Sequence, residues 1–370
     1  MFKRFLIAAI VLCSYMPSEA QAQLSSGHSA QQYADHAEVI VHTLHTLRQP
    51  GPHLWRRALW WNSANIFEAL LDHDSLSGHS SVKLCHRLYA CDHLRFGGGF
   101  KNWAFDDEAW WAMAWIKACD RTGDKKYLKV SEGIFTDMAS KAWDDRCDGG
   151  CHWMHHKPYK NAITNELFIT LAANLAARHQ SDTALRRYYL DWAVKGWTWL
   201  EHSGMRNADD LYNDGLDDQC RNNQQWTWSY NQGVILGGLK QLYLLTGDPK
   251  YLNSAAETAL SAIRHLSDTG GILTDPCGLG LTVNSVQFKG IFIRYLSELN
   301  VELKDPTINA FILHNADVVW GNAQDEKHRF DRFWAGPYRK WWGGATGTAL
   351  DLINAAQRAD RFTSFSPKDN

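Results

Sequence analysis

Thr122-Gly123-Asp124-Lys125-Lys126-Tyr127-Leu128 returns as Thr246-Gly247-Asp248-Pro249-Lys250-Tyr251-Leu252, and Tyr189-Leu190 stands midway, so a Tyr-Leu pair recurs every 62 residues. A Gly just past a helix supplies the left-handed cap that ends it, and an Asp caps the start of the next helix. Each Thr-Gly-Asp therefore marks a junction between two helices. One period holds two helices of about 15 to 20 residues with their connections, so the repeating unit is a helix pair.

Outward from these junctions, apolar residues at helical spacing begin near Trp60, Asp106, Asn161, Ser229, Gln287 and Thr346. Each segment opens polar and continues almost wholly apolar, as in Asn62-Ser63-Ala64-Asn65, Asp106-Asp107-Glu108 and Ser229-Tyr230-Asn231-Gln232. Amphipathic segments lie between them at 31–48, 81–92, 127–143, 185–202, 251–266 and 307–320. A helix apolar on most sides must be buried, and an amphipathic one covers it from outside. The expected fold is all-α, an (α/α)6 barrel of six inner and six outer helices. The polar first turns of the inner helices then converge on one cavity.

Residues 1–22 read as a signal peptide. Lys3 and Arg4 form a positive start, Phe5 to Cys13 is apolar, and Ala20-Gln21-Ala22 is a small-residue cleavage site. The chain is expected to be secreted, extracellular or periplasmic, with residues 23–370 forming a single (α/α)6 domain, no membrane span and a monomeric state. In an oxidising compartment Cys85/Cys91 and Cys147/Cys151 are expected as local disulfides and Cys220/Cys277 as a long-range one, leaving Cys119 as the odd thiol. Zinc bound by Cys147, Cys151, His152, His155 and His156 is the alternative, but the spacing matches no standard zinc module. No metal or cofactor is expected.

The 38 Lys and Arg against 40 Asp and Glu give a net charge of −2, which removes the basic footprint of a nucleic-acid binder. The 18 Trp residues are more than a helical core of this size would use. Pyranose rings present apolar faces that stack on indole. Trp60, Trp61, Trp103, Trp226, Trp228, Trp341 and Trp342 fall at or before inner-helix starts, where such platforms would stand, whereas Trp143, Trp192, Trp197 and Trp199 lie on outer helices and read as packing.

Adjacent aspartates occur four times. Asp144-Asp145, Asp209-Asp210 and Asp217-Asp218 sit among turn residues, where Asp serves turns and caps. Asp106-Asp107 stands instead at the first turn of an inner helix, bracketed by Trp103, Phe105, Trp110 and Trp111. Capping needs one carboxylate, so the second faces a cavity. Two carboxyl groups in an aromatic-lined site supply a nucleophile and a general acid together, the pair that retaining glycoside hydrolysis requires.

Phe105-Asp106-Asp107-Glu108-Ala109-Trp110, Asn161-Ala162-Ile163-Thr164-Asn165, Trp228-Ser229-Tyr230-Asn231-Gln232-Gly233 and Phe288 to Tyr295, with Trp60 to Asn65, resemble the motif series of glycoside hydrolase family 76 over nearly the whole mature chain. The resemblance implies an (α/α)6 barrel that cleaves α-1,6-mannan internally with retention. Carried over by position, Asp106 would be the nucleophile and Asp107 the acid/base. Asn62, Asn65, Trp103, Asn165, Trp228, Tyr230, Asn231, Gln232 and Lys289 would contact sugar. The loop from Cys147 to His156 departs from the family pattern. A mannan transglycosidase or a non-catalytic glycan-binding protein would share these residues. Uronate hydrolysis, epimerisation and lyase chemistry would call for a His or Tyr base, and acidic substrates for clustered Arg; the inner-helix starts offer no His, and Arg294 is isolated there.

Overall fold

The computed structural model describes residues 27–92 and 98–364, so the expected signal peptide lies outside the described residues. In chain order the helices are α1 (Ala30–Leu47), α2 (Trp60–Ser77), α3 (Val82–Asp92), α4 (Phe105–Thr122), α5 (Lys125–Asp137), α6 (Ala162–Arg178), α7 (Thr183–His202), α8 (Ser229–Thr246), α9 (Pro249–His265), α10 (Phe288–Leu303), α11 (Pro306–Asn322) and α12 (Gly343–Ser364). The even-numbered helices form the inner ring. Each packs on the next, α2 on α4, α4 on α6, α6 on α8, α8 on α10 and α10 on α12, and α12 closes the ring on α2. The odd-numbered helices pack outside. This is the (α/α)6 barrel, and no described helix is long and apolar enough to cross a membrane.

The junction chemistry explains the alternation. Gly123 and Gly247 adopt left-handed φ of 74° and 72° and donate their N–H groups to Cys119 and Tyr243 carbonyls, ending α4 and α8. Asp124 and Asp248 then accept from the backbone N–H of Lys126 and Lys250 and start α5 and α9. The inner helices approach closely where Gly removes a side chain. A Cβ on Gly233 would lie 2.5 Å from the Phe292 Cα, and one on Gly290 would lie 2.8 Å from the Thr348 Cα.

Below the level of the helix starts, the ring encloses charge. Arg294 of α10 is buried and uses all five of its N–H donors. Nε and Nη2 reach the two oxygens of Asp351 at 2.8 and 3.0 Å, Nη1 reaches Glu68 Oε2 at 2.6 Å and Asn65 Oδ1 at 3.1 Å, and Nη2 also reaches the Asn65 carbonyl at 3.0 Å. Lys117 of α4 joins Glu68, Asp72 and Glu298 at 2.9, 2.8 and 3.2 Å. The arginine that stood isolated in the sequence is thus a hub that spans α2, α10 and α12.

The expected disulfides are corrected. Cys147 bonds Cys220 across 73 residues of sequence, and Cys85, Cys91, Cys119, Cys151 and Cys277 are free thiols. Cys85 and Cys91 share α3, where six residues separate their Cα atoms by about 9 Å, too far for a bridge. Cys151 is fully buried, with its peptide held by Asn165, whereas Cys147 and Cys220 sit in left-handed turns with φ of 59°.

Two stability outcomes follow, both read from chemical denaturation at neutral pH. Arg294→Met should cost about 3–5 kcal/mol, because Glu68 and Asp351 would remain buried without their cation. A loss below about 1 kcal/mol would show that the hub is dispensable. Cys147→Ser should cost about 2–4 kcal/mol, and reductant should bring the parent chain to the same midpoint.

Candidate active site

The start of α4 is fixed by a loop that runs beside it. The Phe105 N–H donates to the Trp153 carbonyl at 3.0 Å and the His155 N–H to the Trp103 carbonyl at 3.2 Å, so residues 103–105 and 153–155 lie side by side like two short strands. This register places the Trp153 indole against the first turn of α4, where its Nε1 donates to Asp106 Oδ2 at 2.9 Å. Asp106 Oδ1 accepts the Asp107 backbone N–H at 2.9 Å. Both Asp106 oxygens are therefore held. Asp107 receives one donor, Asn102 Nδ2, at 2.7 Å on Oδ2.

The two carboxyl groups open onto a cleft yet are surrounded by protein on their other sides. Burial, and then the charge of Asp107, push Asp106 well above the usual carboxylate range, against the pull of its donors. Burial also lifts Asp107 to about 6 while Asn102 pulls it down. The pair titrates as a unit, and removing the charge from one oxygen pair relieves the other. Glu108, at the same helix start, is lifted to about 8, chiefly by burial.

The cleft has two lobes that meet at Asp106. One, of about 300 Å3, is lined by Trp60, Trp61, Asn102, Trp103, Asp107 and Trp110. The other, of about 360 Å3, is lined by Tyr159, Asn161, Asp214, Trp226, Trp228 and Thr282. Asp106, Trp153, Tyr230, Asn284 and Phe288 belong to both. Tyr230 stacks on Phe288 with ring centroids 3.7 Å apart and makes a rigid pier between the lobes. Each lobe carries one widely exposed indole, Trp103 at 57% and Trp226 at 51%. Asp214 is gripped by the Tyr159 hydroxyl, which in turn accepts from Asn223 Nδ2 at 2.9 Å.

The sequence profile of Glycosyl hydrolase family 76 matches residues 19–364. The chain belongs to that family. It is 28% identical over 292 residues to a mannan endo-1,6-α-mannosidase of Candida albicans, covering 71% of this chain and 63% of that one. It is 30% identical over 209 residues to a Saccharomyces cerevisiae protein of the same description, covering 52% and 45%. The chain thus spans less than two thirds of the length of either. Among solved structures, the α-1,6-mannanase of Salegentibacter sp. HEL1_6 superposes with a TM-score of 0.78 at 22% identity, covering 88% of this chain and 98% of that one. An inactive variant of that enzyme, with two consecutive aspartates replaced by alanine, is solved with α-1,6-mannotetrose and superposes at 0.79, again at 22% identity, over 88% and 99%.

Against the family motifs, the residues singled out in the sequence divide sharply. Asp106, Asp107, Trp103, Trp228 and Tyr230 line the cleft. The amides do not. Asn62 is fully buried, accepts from the Leu59 N–H at 3.0 Å and donates to Gln287 at 2.7 Å. Asn65 holds Arg294. Asn165 clamps the Cys151 peptide, accepting its N–H at 2.6 Å and donating to its carbonyl at 2.9 Å. Gln232 clamps the Tyr212 peptide in the same way, at 2.8 and 2.9 Å. Asn231 is buried outside both lobes, and its amide meets no hydrogen-bond partner among the described residues.

Lys289 points elsewhere as well. It lines a separate cavity of about 140 Å3, donates to the Arg332 carbonyl at 2.9 Å and lies 4.7 Å over the Trp334 ring, with burial pushing its pKa down to about 8. Trp341 and Trp342 pack beneath Arg57 and Arg332 rather than in the cleft. Of the five residues weighed for zinc, Cys147 is oxidised, Cys151 is enclosed in the core, and His152 sets its ring nitrogens 2.7 and 3.0 Å from the Met154 and Lys141 carbonyls.

Trp153 and Asp214 were absent from the sequence-derived site. Both stand in loops whose local sequence reads as turns, and nothing local signals that either crosses to face α4.

If the amides are ties, Gln232→Ala should lower stability by about 3 kcal/mol through the unpaired Tyr212 peptide. Trp226→Ala should stay within about 0.5 kcal/mol of the parent. The two denaturation midpoints measured together check the division.

Proposed function

We propose that this chain is a retaining endo-α-1,6-mannanase. The observation that carries the reading is the Asp106–Asp107 pair at the meeting point of two aromatic lobes. The descriptions of its family relatives supply the linkage. A chain threading both lobes would cross Asp106 at an internal bond, which favours endo cleavage over removal of terminal sugars.

In the first step Asp106 attacks the anomeric carbon while Asp107 gives a proton to the departing glycosidic oxygen, leaving a glycosyl ester on Asp106. The raised pair shares one proton, which must sit on Asp107 when Asp106 attacks; the two donors that hold both Asp106 oxygens favour that arrangement by stabilising its anion. Asp107 lines only the lobe with Trp60, Trp61 and Trp103, so the leaving portion of the glycan belongs there. The retained portion belongs with Asp214, Trp226 and Trp228. Asp214 is placed to accept hydrogen bonds from sugar hydroxyls, and Trp226 offers a face for stacking. Water, activated by Asp107, then releases the product. The reading includes export and removal of residues 1–22.

Asp106→Asn and Asp107→Asn should each cut turnover of linear α-1,6-mannan by at least about 1,000-fold with the circular dichroism unchanged. Full activity in either variant would overturn the roles. Trp153→Phe removes one donor from Asp106 and should lower kcat by about 10- to 100-fold with KM little altered. Product masses measured with and without added mannosides show whether water or sugar receives the glycosyl group.

A further inference from the structure

Behind the catalytic pair, three side chains from three different segments converge. Glu108 comes from the first turn of α4, Asp137 from the end of α5, and His155 from the loop that carries Trp153. Each offers a donor atom, and these atoms all lie within 4.8 Å of one another. Glu108 is fully buried and Asp137 is 5% exposed. His155 lies against Phe105 with ring centroids 4.2 Å apart.

The hydrogen bonding of this cluster is incomplete. Glu108 Oε1 accepts the Asn102 N–H at 3.0 Å, but Oε2 is buried without a partner. Lys101 and Lys141 both bind Asp137 Oδ1, at 2.9 and 2.6 Å, and Oδ2 is likewise left alone. His155 Nε2 is buried, unpartnered, and 3.6 Å from Glu108 Oε1. Each of the three clustered side chains thus carries one buried polar atom without a partner, a desolvation cost that a shared cation would remove.

We infer that Glu108, Asp137 and His155 form a zinc site that staples the Trp153 loop to α4 and α5. Two carboxylates and one imidazole with a position left for water is a donor set that zinc accepts. Ligand atoms around zinc lie about 3.4 Å apart, so small side-chain rotations close the present spacing. The two lysines do not block it, since both grip the oxygen opposite the free one, and Lys141 is 56% exposed and able to withdraw into solvent. The consequence for the active site is positional. The loop that His155 anchors is the one whose Trp153 orients Asp106.

The test is direct. The full chain, stripped with chelator and dialysed, is titrated with zinc chloride by calorimetry and followed by thermal denaturation. One saturable equivalent and a raised melting temperature are expected. Asp137→Asn and His155→Ala should each weaken binding by about 100-fold, and His79→Ala should leave it intact. That last variant addresses a second group, Glu38, His73 and His79, whose donor atoms are near each other but already paired, at 3.1 Å between His73 and Glu38 and 3.5 Å between His79 and Glu38. Absence of saturable binding overturns the inference, and so does binding that survives both Asp137→Asn and His155→Ala or is lost in His79→Ala. Should Asp137→Asn fold poorly, His155→Ala, at a side chain 26% exposed, carries the same decision.

Discussion

A guanidinium cut off from water must give every N–H a partner, and Arg294 meets that demand by drawing two inner helices, α2 and α12, to its own. The constraint is severe because α2, α4, α10 and α12 each bring charge into the interior, and the acids there would be untenable alone. Lys117 settles Glu68, Asp72 and Glu298 as Arg294 settles Glu68 and Asp351. Even so paired, burial lifts Asp351 to about 7. Ridges of Leu, Ile and Ala on the same helices tolerate sliding, but a five-pronged cation does not. It fixes the rotation of α2, α10 and α12 about their own axes, and with it the direction in which their first turns face.

With the ring so fixed, the Asp106–Asp107 pair needs only to be aimed. Asp106 and Asp107 are aimed by loops rather than by helices, through Trp153 and Asn102. The same loops help to build the walls of the cleft, and the Cys147–Cys220 bond joins the Trp153 loop to the one that carries Asp214 and Trp226. Fold and chemistry are thus divided between levels of the barrel, with ionic packing below and aromatic, loop-borne surface above.

The helical layout was legible because its signals are local. Gly123-Asp124 and Gly247-Asp248 announce an end and a start within two residues, and a run such as Ala112 to Cys119 on α4 needs no distant partner to be read as buried. The cleft was legible where a residue sits on or just before an inner-helix start, as Trp103, Asp106, Asp107, Trp228 and Tyr230 do. Asn165 and Gln232 carry the same local signature, a polar group opening an apolar helix, whether they meet a sugar or a peptide. The choice depends on what loop arrives opposite them. Disulfide partners failed for a related reason. Cys85 and Cys91 look adjacent in sequence, yet the helix that the same sequence predicts already holds them apart.

The amide clamps of Asn165 on the Cys151 peptide and Gln232 on the Tyr212 peptide recur at Asn315, which accepts from the Leu273 N–H at 2.9 Å and donates to the Gly271 carbonyl at 3.1 Å. Each imitates one rung of a β-ladder between a helix and the root of a cleft loop. A loop pinned at its root transmits little of what happens at its tip. Insertions and exchanges around Trp226 or His156 can therefore accumulate without disturbing the barrel. Divergence in what the cleft accepts is thereby uncoupled from the survival of the fold.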